Sequence, residues 1–230
     1  MKKVIIVCEG QTEEAFVKKL LYPELWAKGV FTEPRIISTS PLGKGGVLSG
    51  ERVLRYLRNT LRERGNTYVT TFFDLFALPQ DFPGPENTPM AADPLDHATE
   101  IETALHNTVV REAGCLPERF FPHIQPYEFE ALLFSDTTGF VRAEPAWKAF
   151  AGKLASIREN AKSPEHINDG TGTHPSARLQ SLLRPRYKKV AHGAGVSAEI
   201  GIDRMRSECQ HFDRWLSRIE SVVPLEQQEI

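Results

Sequence analysis

A parallel α/β sheet with flanking helices, followed by a mostly helical C-terminal region, is the fold class the sequence predicts. Three observations carry it. Short apolar runs without polar alternation, led by Val4–Cys8, have the composition of strands buried on both faces. Segments of helical periodicity separate these runs through residues 1–136, as in a parallel sheet with right-handed crossovers. From 137 to 230 only helical spacing remains, so this region is expected to pack on the 1–136 core rather than fold alone.

The elements follow in order. Residues 3–8 read as a central strand. Thr12 is a plausible N-cap, with Glu13 and Glu14 in a first turn where the helix dipole favours acids, and Ala15, Phe16, Leu20 and Leu21 keep helical spacing. "PRIISTS" (34–40) is a second extended segment. The glycine-rich "PLGKGGVLSG" after it is a loop, and its "GKGG" lacks the GK[ST] spacing of a phosphate-binding loop. A helix over 50–63 lays Val53, Leu54, Leu57 and Leu61 on one face and stops at Gly65. "TYVTTFFDLF" (67–76) is a β-branched, aromatic strand with Asp74 near its end. The proline-rich "ALPQDFPGPENTP" is a long loop of the kind that is functional or disordered. A helix over 94–113 ends at Gly114, and a strand over 119–125 leads into "PYEFEALLFSD". Helices are expected at 146–160, 175–183 and 197–221. In the last, Ile202, Met205, Cys209, Phe212, Leu216 and Ile219 form a core stripe.

The chain has 230 residues, 40% hydrophobic and 25% charged, an ordinary globular composition. Its formal charge of −2 identifies no partner. Cys8, Cys115 and Cys209 are dispersed and without CxxC spacing, which suits reduced thiols. No apolar stretch approaches the ~20 residues of a membrane span. The expectation is a soluble cytoplasmic protein with no membrane partner. Charge is uneven: no lysine or arginine lies between Arg64 and Arg111, whereas the basic residues of 171–218 outnumber the acidic ones. That layout suits a cation beside a polyanion, or equally two differently solvated faces.

Glu9, Asp74 and the pair Glu128/Glu130 fall at or just past the carboxyl ends of apolar runs. In open parallel sheets functional groups gather there. Neighbouring carboxylates raise one another's pKa, and a divalent cation removes the conflict; clusters of carboxylate oxygens suit Mg²⁺ or Mn²⁺. Helix capping is the plainer role for Glu9, a solvated helix start for Glu128, and a turn cap for Asp136. His123, inside an apolar strand, reads as a core histidine. His174 and Asp169 share a polar loop. Arg184, Arg186, Lys188 and Lys189 form a basic track for nucleic acid or for an acidic partner, and the track lacks interleaved aromatics. With His192, in the glycine-containing "KKVAHGAGVSAEI", Lys189 is a candidate phosphate contact at a helix start.

The stretches "VCEGQTEEAFV", "FFDLFALPQDFPG", "IQPYEFEALLFSD", "INDGTGTHPSARL" and "YKKVAHGAGVSAEIGIDRMRSECQHFDRW" resemble the Toprim-like proteins of domain-of-unknown-function family 4276, over nearly the whole chain. The resemblance implies a Toprim-like, Rossmann-like sheet and Mg²⁺ (or Mn²⁺) held by a strand-one glutamate, matched by Glu9, and by an Asp-x-Asp. Asp74 matches the first aspartate. Phe76 stands at the second, so Asp81, Glu128 and Glu130 are the nearest substitutes for its oxygens. The implied activity is phosphodiester hydrolysis of DNA or RNA, with Glu9, Asp74 and Glu130 catalytic, beside an ATPase in bacterial defence or repair. A catalytically idle module regulating that ATPase is the alternative, favoured by Phe76.

Overall fold

The computed structural model describes residues 2–37, 49–63, 65–84, 93–168 and 172–225. The "GKGG" stretch and Asp169 lie outside them.

Among the described residues four parallel strands form one sheet in the order β2-β1-β3-β4. β1 (Lys2–Cys8) is central, pairing with β2 (Val30–Ile36) on one side and β3 (Tyr68–Asp74) on the other. Its apolar run has no polar face because both faces are covered. Val4, Ile6 and Cys8 point into one apolar cluster, Ile5 and Val7 into a second. The second cluster is closed by α3 (Gly50–Glu63) and α4 (Pro94–Ala113). The first is closed by α1 (Gln11–Phe16), which continues through a π-helical turn (Val17–Leu21) into α2 (Tyr22–Ala27), and by C-terminal helices. That cluster runs from Val4 to Val222, so the C-terminal helices share the core of the sheet. The architecture is α/β and Rossmann-like.

Several boundaries differ from expectation, each for a local reason. Gly10, not Thr12, is the N-cap of α1, and the Glu13 carboxylate reaches back to accept its N–H at 2.9 Å. β2 starts earlier than expected and tolerates Pro34 because it is an edge strand. The strand expected over 119–125 shrinks to β4 (Ile124–Gln125). Before it come a 3₁₀ turn (Pro117–Arg119) and a lone bridge from Phe120 to Val69, and Pro122 cannot donate to a ladder. After β4 a 3₁₀ segment (Phe129–Ser135) leads to α5 (Thr138–Ala143). A second 3₁₀ segment (Pro145–Phe150) precedes α6 (Ala151–Glu159), and α7 spans Pro175–Leu182.

The helix expected over 197–221 is three: α8 (Lys189–Ile200), α9 (Ile202–Glu208) and α10 (Gln210–Ser221). Gly201 at φ 82° and an extended Cys209 make the breaks. The apolar stripe hides them because all three helices turn their apolar residues to the same cluster. Among the described residues no helix is long and apolar enough to cross a membrane. Cys8 and Cys209 are buried free thiols and Cys115 is half-buried.

Candidate metal centre

The strand register decides where the carboxylates meet. Cys8 pairs with Phe72 and Asp74 with Gln125, so Glu9, Asp74 and the residues after Gln125 leave the sheet along one edge. After β1 the chain turns to β2 on one side and then returns to β3 on the other. The edge between β1 and β3 is therefore a topological switch point, where ligands of open α/β sheets bind.

The carboxylates are linked through the backbone. Glu9 Oε2 accepts the Asp74 N–H at 3.2 Å, and Asp74 Oδ1 accepts the Phe129 N–H at 2.7 Å. Between β4 and Phe129, Tyr127 adopts a left-handed φ of 60°. Oxygens of the buried Asp74, Glu128 and Glu130 lie within 4.8 Å of one another. Glu128 is held on both oxygens: Ser176 donates its N–H to Oε2 at 2.8 Å and its hydroxyl to Oε1 at 2.9 Å, and His174 Nδ1 lies 3.0 Å from Oε2. The Tyr187 hydroxyl donates to Glu130 Oε1 at 3.2 Å.

Among the described residues one ammonium, that of Lys189, stands among these acids. Lys189 Nζ lies 3.1 Å from Glu128 Oε1, 3.2 Å from Glu130 Oε2 and 4.0 Å from Asp74 Oδ2. Its approach to Glu130 is an ion pair without hydrogen-bond geometry, so Glu130 Oε2 is a buried oxygen that accepts no hydrogen bond. Lys189 opens α8, and close packing of α8 on α1 brings it in. A Cβ at Gly193 would sit 2.9 Å from Thr12 Cγ2 and 3.3 Å from the Phe129 ring. Gly193 thus serves helix packing, whereas a Cβ at Gly195 would meet nothing within 4 Å.

Burial dominates the protonation of the cluster. It pushes Asp74 well above the usual carboxylate range, with Glu13, Glu9 and Glu130 adding repulsion. It also raises Glu9 and Glu13. Glu130 is lifted from 4.5 to about 7, burial and Glu128 outweighing the pull of Lys189. Glu128 goes the other way: burial raises it, but Lys189, Ser176 and His174 together bring it below its ordinary value. Burial opposes the charge of Lys189, yet Glu130, Asp74 and Glu128 raise its pKa.

The sign of the pH dependence follows. A carboxyl whose folded pKa exceeds its unfolded one keeps its proton more tightly when folded, so it contributes stability at low pH that is lost as pH rises. The metal-free protein should lose stability between pH 4.5 and about 7 on account of Glu130. Thermal melts across that window check this: Glu130→Gln should flatten the slope, and an unchanged slope would assign it elsewhere.

Other residues singled out by sequence fall outside the cluster. Asp81 Oδ1 accepts the Gly50 N–H at 2.9 Å and so caps α3; its loop packs so close that a Cβ at Gly50 would meet the Asp81 carbonyl. Asp136 caps the next turn through the Thr138 N–H and pairs with Arg142. Arg184 bonds back to carbonyls at the end of α7, and Arg186 to Gln180. His192 lies within α8, where its Nδ1 accepts the Lys188 N–H at 2.9 Å and its ring meets Trp147 and Tyr187. The basic track is therefore split: Lys189 turns inward to the carboxylates, apart from the two arginines. Glu13, Ser176 and Tyr187 belong to the centre and were not legible as such; only contacts across distant sequence place them there.

A second group, Glu102, His123 and His211, also has ligand atoms within 4.8 Å. Its members are hydrogen-bonded to protein groups without an ion. Glu102 Oε1 accepts from His211 Nε2 and from the Ile124 N–H, both at 2.7 Å, and Arg214 donates to His211 Nδ1 at 3.0 Å. A metal-bound histidine needs an acceptor at its other nitrogen, and His211 meets a guanidinium there. His123 is kept neutral by burial and stacks between His211 and Trp215. It is a core histidine.

A family model described as "Domain of unknown function (DUF4276)" matches residues 8–220. The chain belongs to this family. The match to DUF4276 takes in every carboxylate of the cluster and Lys189. No curated protein and no solved structure matches the chain.

Proposed function

We propose that this DUF4276 chain is a divalent-metal-dependent nuclease of the Toprim type, hydrolysing phosphodiester bonds of DNA or RNA with Mg²⁺ or Mn²⁺. One observation carries the reading. Five carboxylates, Glu9, Glu13, Asp74, Glu128 and Glu130, crowd the switch-point edge of a parallel sheet around the Lys189 ammonium, and one of their buried oxygens, Glu130 Oε2, has only that ammonium as a partner among the described residues. The donor set is all carboxylate oxygen, the set hard divalent cations prefer.

Asp74, Glu128 and Glu130 would hold the ion, with Glu9 against them. When bound, such an ion neutralises phosphate charge and lowers the pKa of attached water. The chain's own residues do the rest. The Asp74 N–H fixes Glu9, and the Phe129 N–H fixes one oxygen of Asp74, so both acids are preorganised. Glu9, fixed by the Asp74 N–H and not among the three acids that would hold the ion, is suited to take up a proton from an attacking water. Lys189 is placed to swing from the carboxylates to a phosphate oxygen. The nucleic-acid substrate, the ATPase partner and the defence or repair setting rest on the Toprim resemblance.

Phe76 in place of a second acid, and Lys189 already neutralising part of the cluster, favour a second reading: an idle regulatory module. Calorimetric titration of Mn²⁺ into the metal-free chain, then incubation with labelled single-stranded DNA, duplex DNA and RNA, separates them. Saturable binding with chelator-sensitive cleavage is expected. Binding without cleavage, alone or with the ATPase, leaves the regulatory reading; no binding overturns the metal centre.

A further inference from the structure

A cavity of about 390 Å³ lies beside the carboxylates, between the segment after β3 and α4. Its volume falls within the usual range of small-ligand pockets, roughly 300–1,000 Å³. Phe76, Tyr127, Phe82, His97, Ile101 and Asn168 are among its walls. Two walls continue the metal centre: Phe76 is two residues past Asp74, and Tyr127 immediately precedes Glu128. The Phe76 N–H donates to the Tyr127 carbonyl at 3.0 Å, which ties these walls together.

Three features define what fits. Phe76 is an aromatic ring left 59% exposed at the mouth of an apolar cavity. It stacks on His174 at 4.7 Å and 27°, and His174 contacts Glu128, so the ring is braced against the carboxylate cluster. His97 adds its ring to the walls, its Nδ1 itself closed off from the cavity. A ligand with flat faces answers the aromatic walls.

We propose that this cavity receives one unstacked nucleobase of the substrate, its phosphate reaching the carboxylate centre, so that the chain acts on single-stranded or locally opened nucleic acid. The inference rests on the nuclease reading for the phosphate and on the cavity for the base. Two residues of chain span at most about 7 Å, and a single nucleotide bridges that reach from base to phosphate. Stacking on an aromatic ring is tolerant of base identity and typical of single-strand binding. The aromatics missing from the basic track at 184–189 are supplied here, by Phe76 and Tyr127.

The test uses a nucleoside, which has no phosphate and therefore does not depend on the metal. Adenosine is titrated into the full chain with chelator present, into wild type, Phe76→Ala, Phe76→Trp and Asp74→Asn. Saturable binding at millimolar or lower concentration is expected in wild type. It should weaken roughly 5- to 150-fold in Phe76→Ala, the worth of one base–aromatic stack. It should persist in Phe76→Trp and in Asp74→Asn. Absence of adenosine binding to wild type, or equal binding to Phe76→Ala, overturns the base pocket. Neither outcome touches Mn²⁺ titration, which judges the metal centre separately. Because Phe76 is largely exposed, melting temperature should not change in either variant, and an unchanged melt excludes misfolding as the cause of lost binding.

Discussion

Asp74→Asn is expected to weaken Mn²⁺ binding by roughly a hundredfold or more, at least the loss that follows removal of a group merely supporting a metal ligand. It should abolish cleavage and leave the metal-free fold at least as stable as wild type. The two effects have one origin. Asp74 is a buried carboxyl pushed up by burial and by Glu13, Glu9 and Glu130, so at pH 8 its charge is a cost to the metal-free fold. Asparagine keeps the oxygen that accepts the Phe129 N–H and removes the charge. The gain should be present at pH 8 and shrink as pH falls toward the ordinary aspartate value, below which the wild-type group is protonated in both states. Paired Mn²⁺ titrations and melts at pH 8 and pH 5 measure it. An Asn variant that binds Mn²⁺ like wild type would remove Asp74 from the centre.

The same residues show what sequence discloses. Glu9 and Asp74 stood out because an apolar strand ends abruptly in an acid, and a period-2 strand covered on both faces has no other place for one. Helices α3 and α4 were legible from their spacing, and α4 also from its end at Gly114, with φ 65°. The rest depends on contacts that local pattern does not encode. Lys189 meets Glu128 across 61 residues, and Ser176 meets it across 48. A lysine among lysines and arginines reads as a surface charge until α8 is packed on α1. Pro122 shortened β4 and Gly201 broke the last helix. Both signals were visible, but the apolar runs around them argued for continuity.

Lys189→Met is the variant expected to harm the metal-free fold most. Its ammonium is the positive charge that Asp74, Glu128 and Glu130 share, and removing one side of a buried ion cluster strands the other. Buried pairs broken in this way cost about 3–5 kcal/mol. About a third of the Lys189 side chain reaches water, so solvent screening brings the figure toward about 2–3 kcal/mol, or a fall of about 4–12 °C in melting temperature for a chain of this size. Methionine keeps most of the length and packing of the stem, which makes the loss electrostatic. It should be full above pH 7, where Glu130 would otherwise be ionised, and fade toward pH 4.5 as the carboxylates regain their protons. A divalent ion should do what the ammonium did: Mn²⁺ should raise the melting temperature of Lys189→Met more than that of wild type, which must first displace its own lysine. A variant that melts equally low at pH 5 and pH 8, with no larger response to Mn²⁺, would show that Lys189 serves packing alone. Selective rescue by the ion would mean that ammonium and metal compete for one place among the carboxylates, and that Lys189 guards the centre until a metal arrives.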